Sequence, residues 1–199
     1  TNTSGHTLQI ADGLWLDKKF KAAMMKSIAQ SELDRKRFVY SDIGFILLQQ
    51  VVEAVTGKIL DAYLVSEFYR PMGLEHTLFQ PLNRYKKADI MPTAANDYLR
   101  RQDLCGYVHD EAAAFMGGVS GNAGLFSTAQ ELGKIYQMIL NEGELDGKRY
   151  LRPETCRIFT TEKSAVSHRG LGYDKPNLKD PKANACASSA PASGISCRR

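Results

Sequence analysis

Hydrophobic and polar positions along this chain recur with a helical period in several windows and break at glycine or proline. The clearest window opens at Arg37-Phe38-Val39-Tyr40-Ser41-Asp42, where a short β-prone run meets a polar corner and an apolar stretch follows at once. Ile43, Ile46, Leu47, Gln50, Val51 and Ala54 recur at three- and four-residue spacing, and Phe45, Leu48, Val52 and Val55 widen the stripe. This pattern predicts a helix over 42–55 that is buried on most sides. Ser41 or Asp42 would cap it, because a short side-chain oxygen reaches the unpaired amides of a first helical turn. Thr56-Gly57 would end it, since glycine takes the left-handed cap conformation without a Cβ clash. A tyrosine, a hydroxyl and a carboxylate thus gather at the positive end of a rigid helix, which favours an anionic neighbour. The corner suits chemistry, and it equally suits an ordinary helix cap.

The same reading assigns the rest of the chain. Residues 1–12 read as a polar loop, and an amphipathic helix spans 17–29 with Phe20, Met24 and Ile28 inward. Residues 31–37 form a charged loop, and 38–40 are extended. A second helix covers 60–69 through Leu60, Tyr63, Leu64 and Phe68, stopped by Pro71 and Gly73. Residues 78–82 are loop or short strand, 83–107 read as irregular, and 112–116 as a helical turn. Four glycines fall within 117–124, which requires positive φ angles or close backbone approach. Ser127 with Gln130, or Thr128 with Glu131, makes a capping box for a helix running through Leu132, Ile135, Tyr136 and Ile139 to Gly143. Asp146-Gly147 marks a hairpin over 144–151, because a tight hairpin turn needs positive φ at both central residues. Pro153 starts a short helix, and 174–199 read as a loop or disordered tail. The sum is a mainly α fold with one small β-hairpin.

Composition narrows the function classes. The chain has 199 residues, enough for one domain or one and a part. A net charge of +4 without a dense Lys/Arg run gives no footprint for nucleic acid, and Lys18, Lys19 and Lys21 read as the solvated face of a helix. No apolar run reaches the ~18 residues of a membrane span. Cysteines stand at 105, 156, 186 and 197 without Cys-x-x-Cys spacing, so no zinc site is expected. Cys186 and Cys197 flank a small-residue loop, where pairing and free thiols both stay open. His109-Asp110-Glu111 packs three functional groups together, but neighbours in sequence do not converge on one centre, and a hydrogen-bonded structural cluster is expected. No metal and no cofactor is expected. Thr1 to His6 reads as mid-protein loop, and the chain stops at Arg199 without a closing element, so 1–199 reads as one partial domain.

Motifs for nucleophilic catalysis are incomplete. Gly-x-Ser-x-Gly and Lys-Thr-Gly are absent, and no serine has a lysine three residues on. The glycine segment lacks the Gly-Lys-Ser/Thr of a phosphate loop.

Several stretches, taken together and in order, resemble one family. Tyr40-Ser41-Asp42 resembles the Tyr-x-Asn motif of the serine β-lactamase and penicillin-binding-protein superfamily, in its class C-like branch of β-lactamases, DD-carboxypeptidases and esterases. Thr1-Asn2-Thr3-Ser4-Gly5 resembles its His-Thr-Ser-Gly loop, and Arg70-Pro71-Met72-Gly73-Leu74 its Pro-Leu-Gly-Met helix end. Gly106 to Ala112 and Gly117 to Thr128 resemble its Gly-x-Val-His-Asp-Glu and Gly-Gly-Val-Ala-Gly-His-Ala-Gly-Leu-Phe-Ser segments. The chain is also similar to modules appended to family 3 glycoside hydrolases. The resemblance implies the central helical region of the α+β β-lactamase/transpeptidase-like fold. It implies a parent serine hydrolase, bacterial and extracytoplasmic, acting on an ester, lactam or peptidoglycan-type substrate. In that family the serine of Ser-x-x-Lys attacks a carbonyl, and Lys/His-Thr-Gly backbone helps stabilise the oxyanion. Tyr40 is then the proton-transfer residue, Asp42 the counterpart of the motif asparagine, and Ser41 its variable middle position. An ionised carboxylate cannot donate to a substrate carbonyl, so Asp42 tilts the expectation from lactam toward ester or peptide. Asn122 and Ala113 depart from the family's histidine and asparagine, with structural consequences only. The chain alone is expected to lack turnover. A non-catalytic binding module of the same fold is the alternative, and an unrelated helical domain a weaker one. Without a covering sheet, the apolar helix at 42–55 is expected to self-associate.

Overall fold

The computed structural model describes residues 6–32, 39–161, 169–173 and 175. Expectations for 1–5, for 33–38, and for the tail beyond 175 with its Cys186–Cys197 pairing lie outside the described residues. The chain divides into two compact units, one within Thr1–Asp34 and Val39–Glu131, the other within Arg35–Phe38 and Leu132–Arg199.

In the first unit, strands β1 (His6–Ala11) and β2 (Leu14–Asp17) form an antiparallel hairpin turned at Asp12-Gly13. This corrects the polar loop expected at 1–12: Ile10 and Ala11 are buried, and Gly13 takes the positive φ the turn requires. Helix α1 (Lys19–Ala29) starts two residues later than expected, because Asp17 ends β2 and its carboxylate accepts the Lys19 amide at 2.8 Å. Helix α2 (Ile43–Thr56) ends on Gly57 in the left-handed conformation, as predicted. Helix α3 (Leu60–Leu64) continues as a π-helical stretch, Val65–Tyr69, where a regular helix was expected. Among the described residues no single helix is long and apolar enough to cross a membrane.

The region 83–107, read as irregular, holds β4 (Pro92–Asp97) and β5 (Gln102–Cys105), an antiparallel pair. Its turn is closed by side chains rather than by glycine: Asp97 and Arg100 are 5% and 4% exposed and joined by a bidentate pair, Nε to Oδ1 at 2.8 Å and a terminal nitrogen to Oδ2 at 2.7 Å. β3 (Leu78–Phe79) pairs with β6 (Leu125–Phe126), which anchors the end of the glycine segment. α4 (Glu111–Phe115) sits between, with Phe115 against Phe20 of α1 at 4.8 Å.

The second unit begins within α5 (Ala129–Leu140) and contains the predicted hairpin, β7 (Glu144–Leu145) and β8 (Lys148–Arg149). Asp146 and Gly147 have φ of 51° and 75°, the pair of values the turn demands. α6 (Pro153–Thr160) follows, and Met138, Leu145 and Cys156 make the buried core of this unit. Among the described residues, four two-stranded antiparallel pairs therefore replace the single hairpin expected within a mainly α fold.

The burial expected for α2 is also corrected. Ile46 and Gln49 are its buried residues, whereas Leu48, Val51 and Val55 are exposed, Val55 at 81%. Apolar composition records aversion to water, not which neighbour supplies cover. The described neighbours cover one face of α2, and the open remainder is the apolar surface anticipated for this helix.

Candidate active site

Tyr40, Ser41 and Asp42 stand side by side at the head of α2. The Tyr40 side chain is 65% exposed and not sealed in hydrocarbon. The choice of cap resolves in favour of Ser41, whose Oγ accepts the Ile43 amide at 3.3 Å. Asp42 starts the helix with its backbone, its carbonyl accepting from the Phe45 and Ile46 amides at 3.0 and 3.2 Å, and its carboxylate makes no cap. The Ser41 hydroxyl thus has a structural task, while the phenol of Tyr40 and the half-buried carboxylate of Asp42 flank it. A largely exposed tyrosine at the positive end of a helix stands where another group can approach it.

The glycine segment lies directly on α2. Gln49, 2% exposed, uses both ends of its carboxamide there: Nε2 donates to the Val119 carbonyl at 3.3 Å and Oε1 accepts the Gly121 amide at 3.1 Å. Glu53 supports it, with Oε1 accepting from Gln49 Nε2 and from the Leu60 amide, each at 3.0 Å. A Cβ on Gly121 would sit 2.2 Å from the Phe45 carbonyl oxygen, so only glycine allows this approach. On its other side the segment reaches α4. Ser120 Oγ donates to Asn122 Oδ1 at 2.6 Å, Asn122 Nδ2 donates to Asp110 Oδ1 at 3.0 Å, and the same oxygen caps α4 by accepting the Ala113 amide at 2.7 Å. Within His109-Asp110-Glu111, the Asp110 carboxylate is thus engaged in structural hydrogen bonds. Among the described residues no group of three His, Cys, Asp or Glu side chains could hold a metal ion.

Two buried carboxylates brace this frame. Arg100 pulls Asp97 well below the usual carboxylate range, and its guanidinium also donates to the Val108 and His109 carbonyls, which fixes the entry to α4. Glu131 is held at about 2: burial pushes it upward, but the Thr77 hydroxyl, the His76 amide and ring and the Glu75 amide outweigh that. The capping box predicted for Thr128 and Glu131 is half made. Thr128 Oγ1 accepts the Glu131 amide at 3.3 Å, while the Glu131 carboxylate turns to Thr77 at 2.6 Å and to the amides of Glu75 and His76.

A family model described as Beta-lactamase matches residues 1–176. The chain belongs to the Beta-lactamase family. Its relatives include the Escherichia coli K12 protein named "Putative D-alanyl-D-alanine carboxypeptidase", 37% identical over 169 residues that make up 79% of this chain and 39% of that protein. They also include the "N-acetylmuramyl-L-alanine amidase" of Bacillus subtilis strain 168, 36% identical over 155 residues, 72% of this chain and 35% of the relative. This member of the Beta-lactamase family thus spans well under half the length of the curated relatives it matches. The octameric penicillin-binding protein homologue from Pyrococcus abyssi shares the fold, with a TM-score of 0.56 at 18% identity, over 79% of this chain and 35% of that one. Sequence reasoning missed Gln49 and the Asp97–Arg100 pair. Gln49 left a signal, a polar residue inside an apolar helix, whereas a buried Asp-x-x-Arg reads like any solvated one.

Proposed function

We propose that this chain is the tyrosine-bearing part of a serine hydrolase that cleaves a peptide amide or ester in a peptidoglycan-type substrate. Tyr40 is the proton-transfer residue, exchanging a proton with a serine and a lysine carried elsewhere in the parent polypeptide. Asp42 faces that lysine as an acceptor, and Ser41 holds the corner by capping α2. The observation that carries the reading is the exposed position of Tyr40 at the head of α2, in a chain of the Beta-lactamase family. The named activities of the two relatives, a carboxypeptidase and a muramyl amidase, support an amide substrate. An acceptor-only Asp42 supports amide or ester over lactam. The test is to treat the full-length protein with a fluorophosphonate and map the adduct by mass spectrometry. A single phosphonyl adduct, formed with loss of fluoride, on a serine followed three residues later by lysine is expected. Absence of any serine adduct in folded full-length protein would overturn the reading and favour a binding module instead.

A further inference from the structure

A cleft of about 330 Å³ is bounded by β1, by residues 80–83 and 106–108, and by Gly117-Gly118. Its size lies at the lower end of the ~300–1,000 Å³ range of small-ligand pockets. No ionisable acid or base other than the Tyr107 phenol lines it. Burial, then the hydrogen bond to Asp12, pushes that phenol up to about 12, so it stays neutral. An ionised ligand would therefore enter without a counter-charge, which disfavours it. The polar lining consists of three carboxamides, Gln9, Gln80 and Asn83.

Those carboxamides are arranged before any ligand arrives. Gln80 is a non-glycine residue in the left-handed region, φ 49° and ψ 58°, a conformation worth tracing to a function. Its Nε2 donates to the Gly117 carbonyl at 2.6 Å and its Oε1 accepts from Asn83 Nδ2 at 3.1 Å. Among the described residues, Gln9 Oε1 and Asn83 Oδ1 accept no hydrogen bond, which leaves acceptors for hydroxyl and amide donors. Two aromatic side chains, Tyr107 and Phe126, complete the lining, and the Tyr107 ring is anchored by its hydroxyl donating to Asp12 at 3.1 Å. Carboxamides beside aromatic faces match a ring that is apolar on its face and carries hydroxyl and amide groups at its edge.

From this we infer that the cleft binds a neutral N-acetylated amino sugar. The inference deepens the proposed function and rests on it only for the source of the sugar, a peptidoglycan glycan. The test is an ¹⁵N NMR titration of the full-length protein with N-acetylglucosamine. Parallel arms use D-alanyl-D-alanine, which carries a free carboxylate, and a neutral capped alanine dipeptide. Saturable shifts of the Gln80 and Asn83 side-chain amides and the Gly106, Gly117 and Gly118 backbone amides are expected with the sugar alone. Asn83→Ala and Gln9→Ala, both at exposed positions, should each weaken binding about tenfold, equivalent to ~1.4 kcal/mol. No shift at these amides, shifts unaffected by either variant, or stronger binding of either peptide would overturn the inference. None of those results bears on the serine adduct, so the two readings fail separately.

Discussion

The β4–β5 turn and the head of α2 are both polar corners in the same unit, and they treat their polar groups in opposite ways. At Asp97 and Arg100 both charges are withdrawn from water, and the guanidinium meets a bidentate carboxylate and two carbonyls. At Tyr40, Ser41 and Asp42 the serine is tied to the helix while Tyr40 is 65% exposed. The first arrangement is rigid because removing any partner strands a buried group. The second leaves Tyr40 largely exposed, so a change of that side chain should cost the fold little.

The contrast can be broken hardest at Asp97. Asp97→Asn keeps the shape but leaves the Arg100 charge buried without a counter-charge, and a loss of ~3–5 kcal/mol is expected by urea unfolding. A loss below about 1 kcal/mol would mean the clamp is not holding the turn.

Glu131 sharpens the same point through pH. Its folded value of about 2 lies below the ordinary 4.5, so its contribution is fully present above pH ~4.5 and is lost as pH falls toward ~2. At roughly 1.4 kcal/mol per unit, the full contribution is about 3 kcal/mol. Glu131→Gln should flatten the acid limb of a stability-against-pH curve and leave the rest of its shape unchanged. An identical acid limb in both proteins would contradict the assignment.

Gly121→Ala tests the frame that joins the two regions. The added methyl meets the Phe45 carbonyl, so the segment must lift from α2, at a cost of ~1–3 kcal/mol. Ser41→Ala removes a long, exposed cap bond and should cost about 0.5 kcal/mol, the low end for such caps. A thermal melt that ranks these two in reverse order would show that the corner, not the glycine segment, is the rigid part.

What could be read from the chain follows the same division. Asp146-Gly147 announced its hairpin because the turn's backbone requirement admits few residues. Asp12-Gly13 carries the same chemistry, yet Leu14-Trp15-Leu16 beside it has no polar alternation, and the strand pair went unread. The bounds of α2 and its Gly57 stop were legible from local propensity. Its exposure was not, because apolar content is a property of the helix and cover is a property of its neighbours. Asp97 and Arg100 were invisible for the converse reason: their spacing suits a solvated pair, and only the packing of 108–109 against them makes them a clamp. For Tyr40 to Asp42, the motif resemblance marked the residues, and the fold decided which of them caps the helix.

The most direct measurement compares the rates at which a fluorophosphonate phosphonylates the serine, with loss of fluoride, in full-length wild-type and Tyr40→Phe protein, with thermal unfolding recorded on the same samples. Removing a proton-transfer group should slow phosphonylation ~10²–10⁴-fold. Because Tyr40 is exposed, stability should shift by less than ~0.5 kcal/mol. Equal phosphonylation rates in two equally stable proteins would contradict the role given to this tyrosine.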